Sequence, residues 1–388
     1  MFGKLICRIS SISVFRNILK DSVIIKLIEM LKDPSPDTCG SFCAELYKHT
    51  DNLTEYVLGV LTEDENCFML RHARMEEIPS VINIAVHEEL HIIEEAASVT
   101  PDMIRTVMPY DGYFPGWTTS IADFTGIYAE RMAELGTKGY GIFAKYTSFL
   151  FKNGSLVPLK NPDPQRLSQL VGYEAERKKL IENTKALLAG VPAANVLLYG
   201  DAGTGKSSSV KAVANEFAPD GLRLIELKKP QLHDLPVIME QIAHNPLKFI
   251  IFTDDLTFSS DDSDFDALKA ALEGSASAKA PNAVIYATSN LRHLVREKFS
   301  DRTGDEIHAR DSMEELVSLS ERFGLKITFT KPNKELYLKV VENLAGQYGL
   351  ECDRDTLFSK AEAYALRRSG RSGRAARQFV EMMLSGQL

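Results

Sequence analysis

The stretch Val196 to Ser207 constrains this chain more than any other: it reads Val-Leu-Leu-Tyr-Gly-Asp-Ala-Gly-Thr-Gly-Lys-Ser. Four apolar residues, Val196 to Tyr199, predict a short buried strand. Gly200, Asp201, Ala202, Gly203, Thr204, Gly205, Lys206 and Ser207 then fill the pattern G-x-x-x-x-G-K-S. From Ser208 to Phe217 the apolar residues Val210, Val213, Ala214 and Phe217 recur at helical spacing. Strand, glycine loop and helix in that order is the setting a phosphate-binding loop requires. Glycines let several backbone N–H groups point inward at one anion. The helix start adds partial positive charge. Lys206 is expected to reach the β- and γ-phosphates and the Ser207 hydroxyl to bind Mg²⁺. Ser208, next in line, is expected at the phosphates too.

The chain has 388 residues, enough for two or three domains. With 44% hydrophobic and 25% charged residues its composition is that of a globular protein. A net charge of −8 argues against a general nucleic-acid coat while leaving room for a local basic patch. Apolar runs are too short for a membrane span. Met1 to Ser10 shows neither a long apolar core nor a small-residue cleavage site. The five cysteines form no C-x-x-C pair, which fits free thiols better than a disulfide frame or structural zinc. A cytoplasmic location is expected.

Residues 1–160 read as a mostly helical domain. Helices are expected over Val23 to Leu31, Phe42 to Leu61 and Ile78 to Ala97. The last contains Val86-His87-Glu88-Glu89-Leu90-His91, a match to H-E-x-x-H. On a helix His87 and His91 would share a face as zinc ligands, with Glu88 as general base. Glu89 puts a second charge inside the motif, no third ligand follows at a fitting spacing, and Ile92-Ile93-Glu94-Glu95 continues an ordinary amphipathic helix. A plain helix is therefore the preferred reading. Pro109 to Trp117 predicts a turn-rich loop packed by its own rings, with a binding loop as the alternative. Gly139 to Phe151 is aromatic at helical spacing and is expected to be core or a docking face. Asn161-Pro-Asp-Pro164 marks a linker, and Leu170-Val171-Gly172-Tyr173 a turn ahead of a helix from Glu174 to Leu188.

Beyond the loop, strands are expected over Leu222 to Leu227 and Phe249 to Thr253. The second ends in Asp254-Asp255. An apolar run followed by acids reads as a buried parallel strand that delivers carboxylates to the sheet edge where ligands bind. Asp254 would hold the Mg²⁺ shell through water, and Asp255 would lie near an attacking water. Ala283 to Asn290 is the next strand, and Asn290 at its end would orient that water; an ordinary turn asparagine is the alternative. A charged helical stretch, Leu291 to Leu319, precedes Ser320-Glu-Arg-Phe323. Arg322 is the candidate to act on a neighbouring subunit's phosphate, against the alternative of a surface ion pair. Leu325 to Phe329 is a fifth short strand. Three helices follow, over Lys334 to Tyr348, Asp353 to Ala365 and Gly373 to Leu384. A basic cluster, Arg367 to Arg377, opens the last. It would bind nucleic acid, or aim Arg374 or Arg377 at bound phosphates.

Together, residues from about 165 to 388 resemble the AAA+ ATPases, and in particular a mostly bacterial group of AAA+ ATP-binding proteins with Asp-Asp for Asp-Glu, a Leu-Ser-x-Arg-Phe-Gly-Leu box and a helical N-terminal region. The matching parts are Leu170 to Tyr173, Gly200 to Ser207 (Walker A), Phe249 to Asp255 (Walker B), Thr288-Ser-Asn290 (sensor 1), Ser320 to Phe323 (arginine finger) and Ser372 to Arg377 (sensor 2). The resemblance implies an α/β P-loop AAA+ domain over 161–332, with a five-stranded parallel sheet in the order 5-1-4-3-2, and a helical lid over 333–388. It implies ATP and Mg²⁺ as ligands, with Val171 and Gly172 beside the nucleotide and Ser207 and Asp254 at the metal. Asp255, Asn290, Arg322 and Arg374 are the implied catalytic residues, Arg374 being favoured over Arg377 by motif position. It also implies ring-like self-association through Arg322.

The expected function is Mg·ATP hydrolysis used to remodel or load a protein or nucleic-acid partner, with slow turnover because Asp255 is one methylene shorter than Glu. An ATP-gated binding or scaffold module with weak hydrolysis is the alternative. An ATP-driven zinc metalloprotease acting through His87, Glu88 and His91 is a third reading. A GTPase is disfavoured, because Asn333-Lys-Glu-Leu336 has Leu where a base-reading carboxylate would stand.

Overall fold

The computed structural model describes residues 2–108, 110–257, 268–270, 272, 280–290, 320–368 and 370–388. The expected helical stretch Leu291 to Leu319 lies outside them. The chain forms two compact units, Met1–Lys145 and Tyr146–Leu388.

The first unit is built from helices around one apolar core, in which Phe15, Phe42, Phe124 and Tyr128 are fully buried. Local sequence sets the helix starts. Asp21 caps Ser22–Lys32 by accepting from the Val23 and Ile24 N–H groups. Ser35 and Thr38 form a capping box ahead of Pro36–Leu46, with Pro36 in the first turn, where its missing N–H costs nothing. The single helix expected from Phe42 to Leu61 is two, Pro36–Leu46 and Leu53–Glu63. The polar run His49 to Asn52 interrupts it, and the Asn52 side chain caps the second helix at the Glu55 N–H. In the turn-rich segment Phe114 and Trp117 are buried in the helical core, while Tyr113 is exposed. The Trp117 ring packs edge-on against Phe42, and its indole N–H donates to the Val99 carbonyl at 2.7 Å.

Ser80–Ala97 is one helix carrying the H-E-x-x-H motif. His87 and His91 are exposed, with ring centroids 4.7 Å apart, and Glu88 is exposed beside them. Among the described residues no group of three or more His, Cys, Asp or Glu is placed to share a metal ion. The buried acid is Glu89, 5% exposed. Its carboxylate accepts from the Ser13 N–H (2.7 Å), the Ser13 hydroxyl (2.6 Å), the Val14 N–H (2.9 Å) and the Phe15 N–H (3.1 Å). It closes the turn that leads into the short helix Arg16–Lys20. Nor is any helix among the described residues long and apolar enough to cross a membrane.

The second unit holds a seven-stranded sheet of β1 (Ser148–Lys152), β2 (Ser155–Pro158), β3 (Val196–Gly200), β4 (Leu222–Leu227), β5 (Lys248–Thr253), β6 (Ala283–Ser289) and β7 (Leu325–Phe329). The order is β2-β1-β4-β5-β6-β3-β7. Read from β7 to β4, the five parallel strands follow the expected 5-1-4-3-2 order, and the sheet is larger by two strands than expected. β1 runs parallel to β4 and pairs antiparallel with β2. The aromatic run ending at Phe151 is therefore partly strand rather than helix. Lys152 pairs with Ser155 across Asn153-Gly154, both at positive φ (51° and 79°). That is the geometry of a two-residue hairpin turn whose twist matches its strands. The boundary between units consequently falls at 145/146, ahead of the expected 160. Asn161 to Pro164 is held against this unit, because the Asn215 amide donates to the Asp163 and Gln165 carbonyls.

The central strands are buried on both faces, which is why their sequences are continuous apolar runs. Helices Glu174–Leu188 and Lys206–Glu216 pack Leu180, Leu187, Val210 and Val213 onto Val196, Leu198, Phe252 and Tyr286. The one buried tyrosine hydroxyl of that cluster, Tyr286, is met by Thr184 and Asn183. Helices Lys334–Gln347, Arg354–Arg367 and Gly373–Leu384 close a smaller core of Tyr337, Val341, Ala361, Phe379 and Val380.

Glu89→Ala is expected to destabilise the protein by about 2–4 kcal/mol in urea unfolding, because it strands several buried N–H donors at once. Glu88→Ala at the neighbouring exposed position is expected to stay within about 0.5 kcal/mol of wild type.

Candidate nucleotide site

The glycine loop leaves β3 at Gly200, whose φ is 132°. A Cβ there would meet the Phe329 carbonyl oxygen at 2.1 Å, so only glycine fits. One residue on, the Asp201 N–H donates to that same oxygen at 3.1 Å, and the Asp201 carboxylate accepts from the Lys331 N–H at 2.8 Å. Tyr173 adds to the seam: its ring lies 5.1 Å from Phe329 and its hydroxyl donates to the Thr330 carbonyl at 2.6 Å. Burial pushes the Tyr173 hydroxyl up to about 12, so it remains a donor across the physiological range. The start of the loop is thus fastened to the end of β7. Gly203 and Gly205 turn the rest at φ of 73° and 90°, and Lys206 begins the helix.

β5 and β6 end side by side and deliver the polar groups. Asp254 accepts from the Ser207 hydroxyl at 2.5 Å and from the Thr288 hydroxyl. Asn290 donates through Nδ2 to Asp255 at 2.8 Å and accepts at Oδ1 from the Lys206 ammonium at 3.0 Å. The same ammonium donates to the Gly200 and Asp201 carbonyls, each at 2.8 Å. Burial lowers the Lys206 pKa from its ordinary value, against the opposing pull of Asp201, Asp254 and Asp255. A hydroxyl and a carboxylate in contact are hard oxygen donors of the kind Mg²⁺ takes, so Ser207 and Asp254 fit that ion.

The lid meets the loop directly. The Gly373 N–H donates to the Gly203 carbonyl at 2.8 Å. A Cβ on Gly203 would stand 3.2 Å from the Arg374 and Ser372 side chains. Between loop, linker and lid lies a cavity of about 590 Å³. Val171 and the whole run Ala202 to Ser208 line it, together with Asp254, Asp255, Asn290, Arg374 and Arg377. Gly200, Asp201 and Gly172 lie outside the lining. Gly172, at φ 74°, instead lets the chain pass Leu336, whose methyl would be 2.3 Å from a Cβ. Arg377 reaches the linker, donating to Gln165 at 3.4 Å. Arg322, half-buried just before β7, is also outside the lining.

Sequence reading missed Arg177, Asn343 and Gln347, which line the end of the cavity near Leu170. Arg177 is 7% exposed and donates to the Leu170 carbonyl at 3.0 Å. Its position one turn after Tyr173, on a helix that starts beside the loop, is the only signal the sequence offers. Gln347 donates to the Gln169 carbonyl at 2.9 Å, across a gap of 178 residues that no local pattern reveals.

Residues 144–387 match the family described as "Protein of unknown function (DUF815)". The chain belongs to that family. The matched segment of this DUF815 chain coincides with its second unit, whose strand order, glycine loop and C-terminal helices are those the AAA+ resemblance implied. The chain is 26% identical over 208 residues to the replication factor C large subunit of Thermofilum pendens, covering 51% of this chain and 44% of that protein. A second match, to the replication factor C large subunit of Staphylothermus marinus, is 37% identical over 65 residues, covering 16% of this chain and 15% of that one. The chain thus spans less than half the length of these curated relatives. Among solved structures it is similar to the Thermotoga maritima RuvB Holliday junction branch migration motor, 15% identical, covering 57% of this chain and 65% of that chain, with a TM-score of 0.42.

Gly200→Ala is expected to lower stability by about 2–3 kcal/mol, because its methyl must displace the Phe329 backbone. A thermal melt of the purified variant, with and without nucleotide, checks this.

Proposed function

We propose that this DUF815 chain binds Mg·ATP in the cavity and hydrolyses it, and that it works as a self-associating ATPase that remodels or loads a macromolecular partner. The observation that carries the reading is the meeting of Lys206, Ser207, Asp254, Asp255 and Asn290 at one opening, with Arg374 and Arg377 lining the same cavity. Loop N–H groups and the start of the helix Lys206–Glu216 attract a polyphosphate. Lys206 exchanges its main-chain carbonyl partners for phosphate oxygens. Ser207, and Asp254 through water, would hold the metal, which would supply positive charge to offset that of the phosphates. Asp255, steadied by Asn290, accepts a proton from the attacking water. Arg374 or Arg377 meets charge that develops on the transferred phosphoryl group.

Arg322 lies outside its own subunit's cavity lining, which supports a role at a neighbouring subunit's site. The AAA+ likeness supports a macromolecular partner, of protein or nucleic-acid type. A cytoplasmic site of action fits the free cysteines.

Lys206→Ala is expected to lower hydrolysis by a factor on the order of 10² or more, read as phosphate release at saturating Mg·ATP. Wild-type protein that binds no ATP at millimolar concentration would end this reading. Arg322→Ala is expected to keep ATP binding and lose hydrolysis, with partial recovery when mixed with Lys206→Ala subunits.

A second reading, an ATP-gated binding module that scarcely hydrolyses, is favoured by one observation. Asp255 is short, and one of its oxygens is engaged by Asn290. Asp255→Glu separates the two: a rise in single-turnover rate of roughly tenfold or more supports the module, whose wild-type acid is then the limiting group.

A further inference from the structure

The geometry points to Thr288 as a positioning residue for both acids, Asp254 and Asp255, and this inference rests on the ATPase reading above. β5 and β6 pair in register up to Thr253 and Ala287. One residue later the ladder ends and the chain of β5 turns out of the sheet. Thr288 takes over there with three bonds. Its hydroxyl donates to Asp254 Oδ1, the same hydroxyl accepts from the Asp255 N–H at 2.9 Å, and its carbonyl accepts from the Leu256 N–H at 2.7 Å.

The directions of these bonds are fixed. A backbone N–H only donates and an ionised carboxylate only accepts, so the one hydroxyl must give its proton to Asp254 and a lone pair to Asp255. The second bond holds a strained backbone. Asp255 sits at φ 52°, in the left-handed region where a residue with a Cβ is sterically disfavoured. Without an acceptor for its N–H, the Asp255 backbone would relax and swing its carboxylate away from Asn290. The first bond lands on the same oxygen that accepts from Ser207, so two hydroxyls fix the rotation of the Asp254 carboxylate. Thr288 is 1% exposed and grips both acids from the sheet side. Metal ligation and water activation would thus share one hydroxyl, and its loss would disturb both together.

The test uses the full chain as wild type, Thr288→Val, Thr288→Ser and Thr288→Cys. Steady-state hydrolysis gives kcat and KM. Equilibrium binding of a non-hydrolysed ATP analogue, in Mg²⁺ and in EDTA, gives the gain in affinity that the metal supplies. Removing the hydroxyl with Val, which keeps the shape, is expected to lower kcat on the order of 10- to 100-fold. It is expected to shrink the metal-dependent gain in affinity while changing affinity in EDTA by less than about threefold. Ser, which keeps the hydroxyl, should stay within about threefold of wild type in all of these. A side chain that only packs predicts the reverse order, with Val harmless and Ser impaired, and that result overturns the proposal. So does a Val variant with wild-type kcat and metal gain. If Val does not fold, Cys, similar in size and a weak hydrogen-bond partner, takes its place with the same expected loss. A wild type that binds Mg·ATP without hydrolysing it ends the ATPase reading alone, since the metal gain still reads Thr288. A wild type that binds no nucleotide overturns both.

Discussion

Gly200 and the Phe329 carbonyl approach so closely that no side chain fits between them, and the candidate nucleotide site is laid out from that contact. It joins the exit of β3 to the exit of its edge neighbour β7. Asp201 and Tyr173 reinforce the seam from either side. With the first turn of the loop immobilised, the later glycines place Lys206 at a defined helix start, and its ammonium then lies within reach of Asn290 on the next strand. The end of β5 contributes Asp254 and Asp255 and the end of β6 contributes Asn290, each at its own register position. Preorganisation of this kind lets charged groups act without reorganising at the moment of reaction.

How much of this the sequence disclosed depended on whether the signal was local. The glycine loop, the acidic strand end and the lid helices each announce themselves within a dozen residues, and the structure builds each of them where the pattern lies. The hairpin at Asn153-Gly154 also carried a local signal, an Asn-Gly pair between apolar runs. The aromatic spacing ahead of it suits a helix as well, and the edge strands were hidden by that ambiguity. Thr288 stood in the recognised strand end, yet its role depends on contacts across 33 and 34 residues. Arg177 and Gln347 depend on the third dimension entirely. A periodicity argument finds elements; it cannot find which side chain ends beside which.

The H-E-x-x-H motif teaches the opposite lesson. Its three defining residues face solvent, and the residue between them that is not part of the pattern has the demanding role. Glu89 is buried and satisfies a row of backbone donors some 75 residues earlier in the chain. A carboxylate that gathers several N–H groups is a substitute for secondary structure, and a helix needs its acid at one register for that purpose. The histidines flank that register.

The Gly373 N–H, at 2.8 Å, and the Arg374 N–H, at 3.4 Å, both donate to the Gly203 carbonyl and tie the start of the last helix to the glycine loop. A flap fastened at its hinge widens gradually when it moves. A flap fastened at its working edge cannot: the bond must break before the opening grows. Widening of this cavity by movement of the last helix thus requires loss of the bonds to the Gly203 carbonyl.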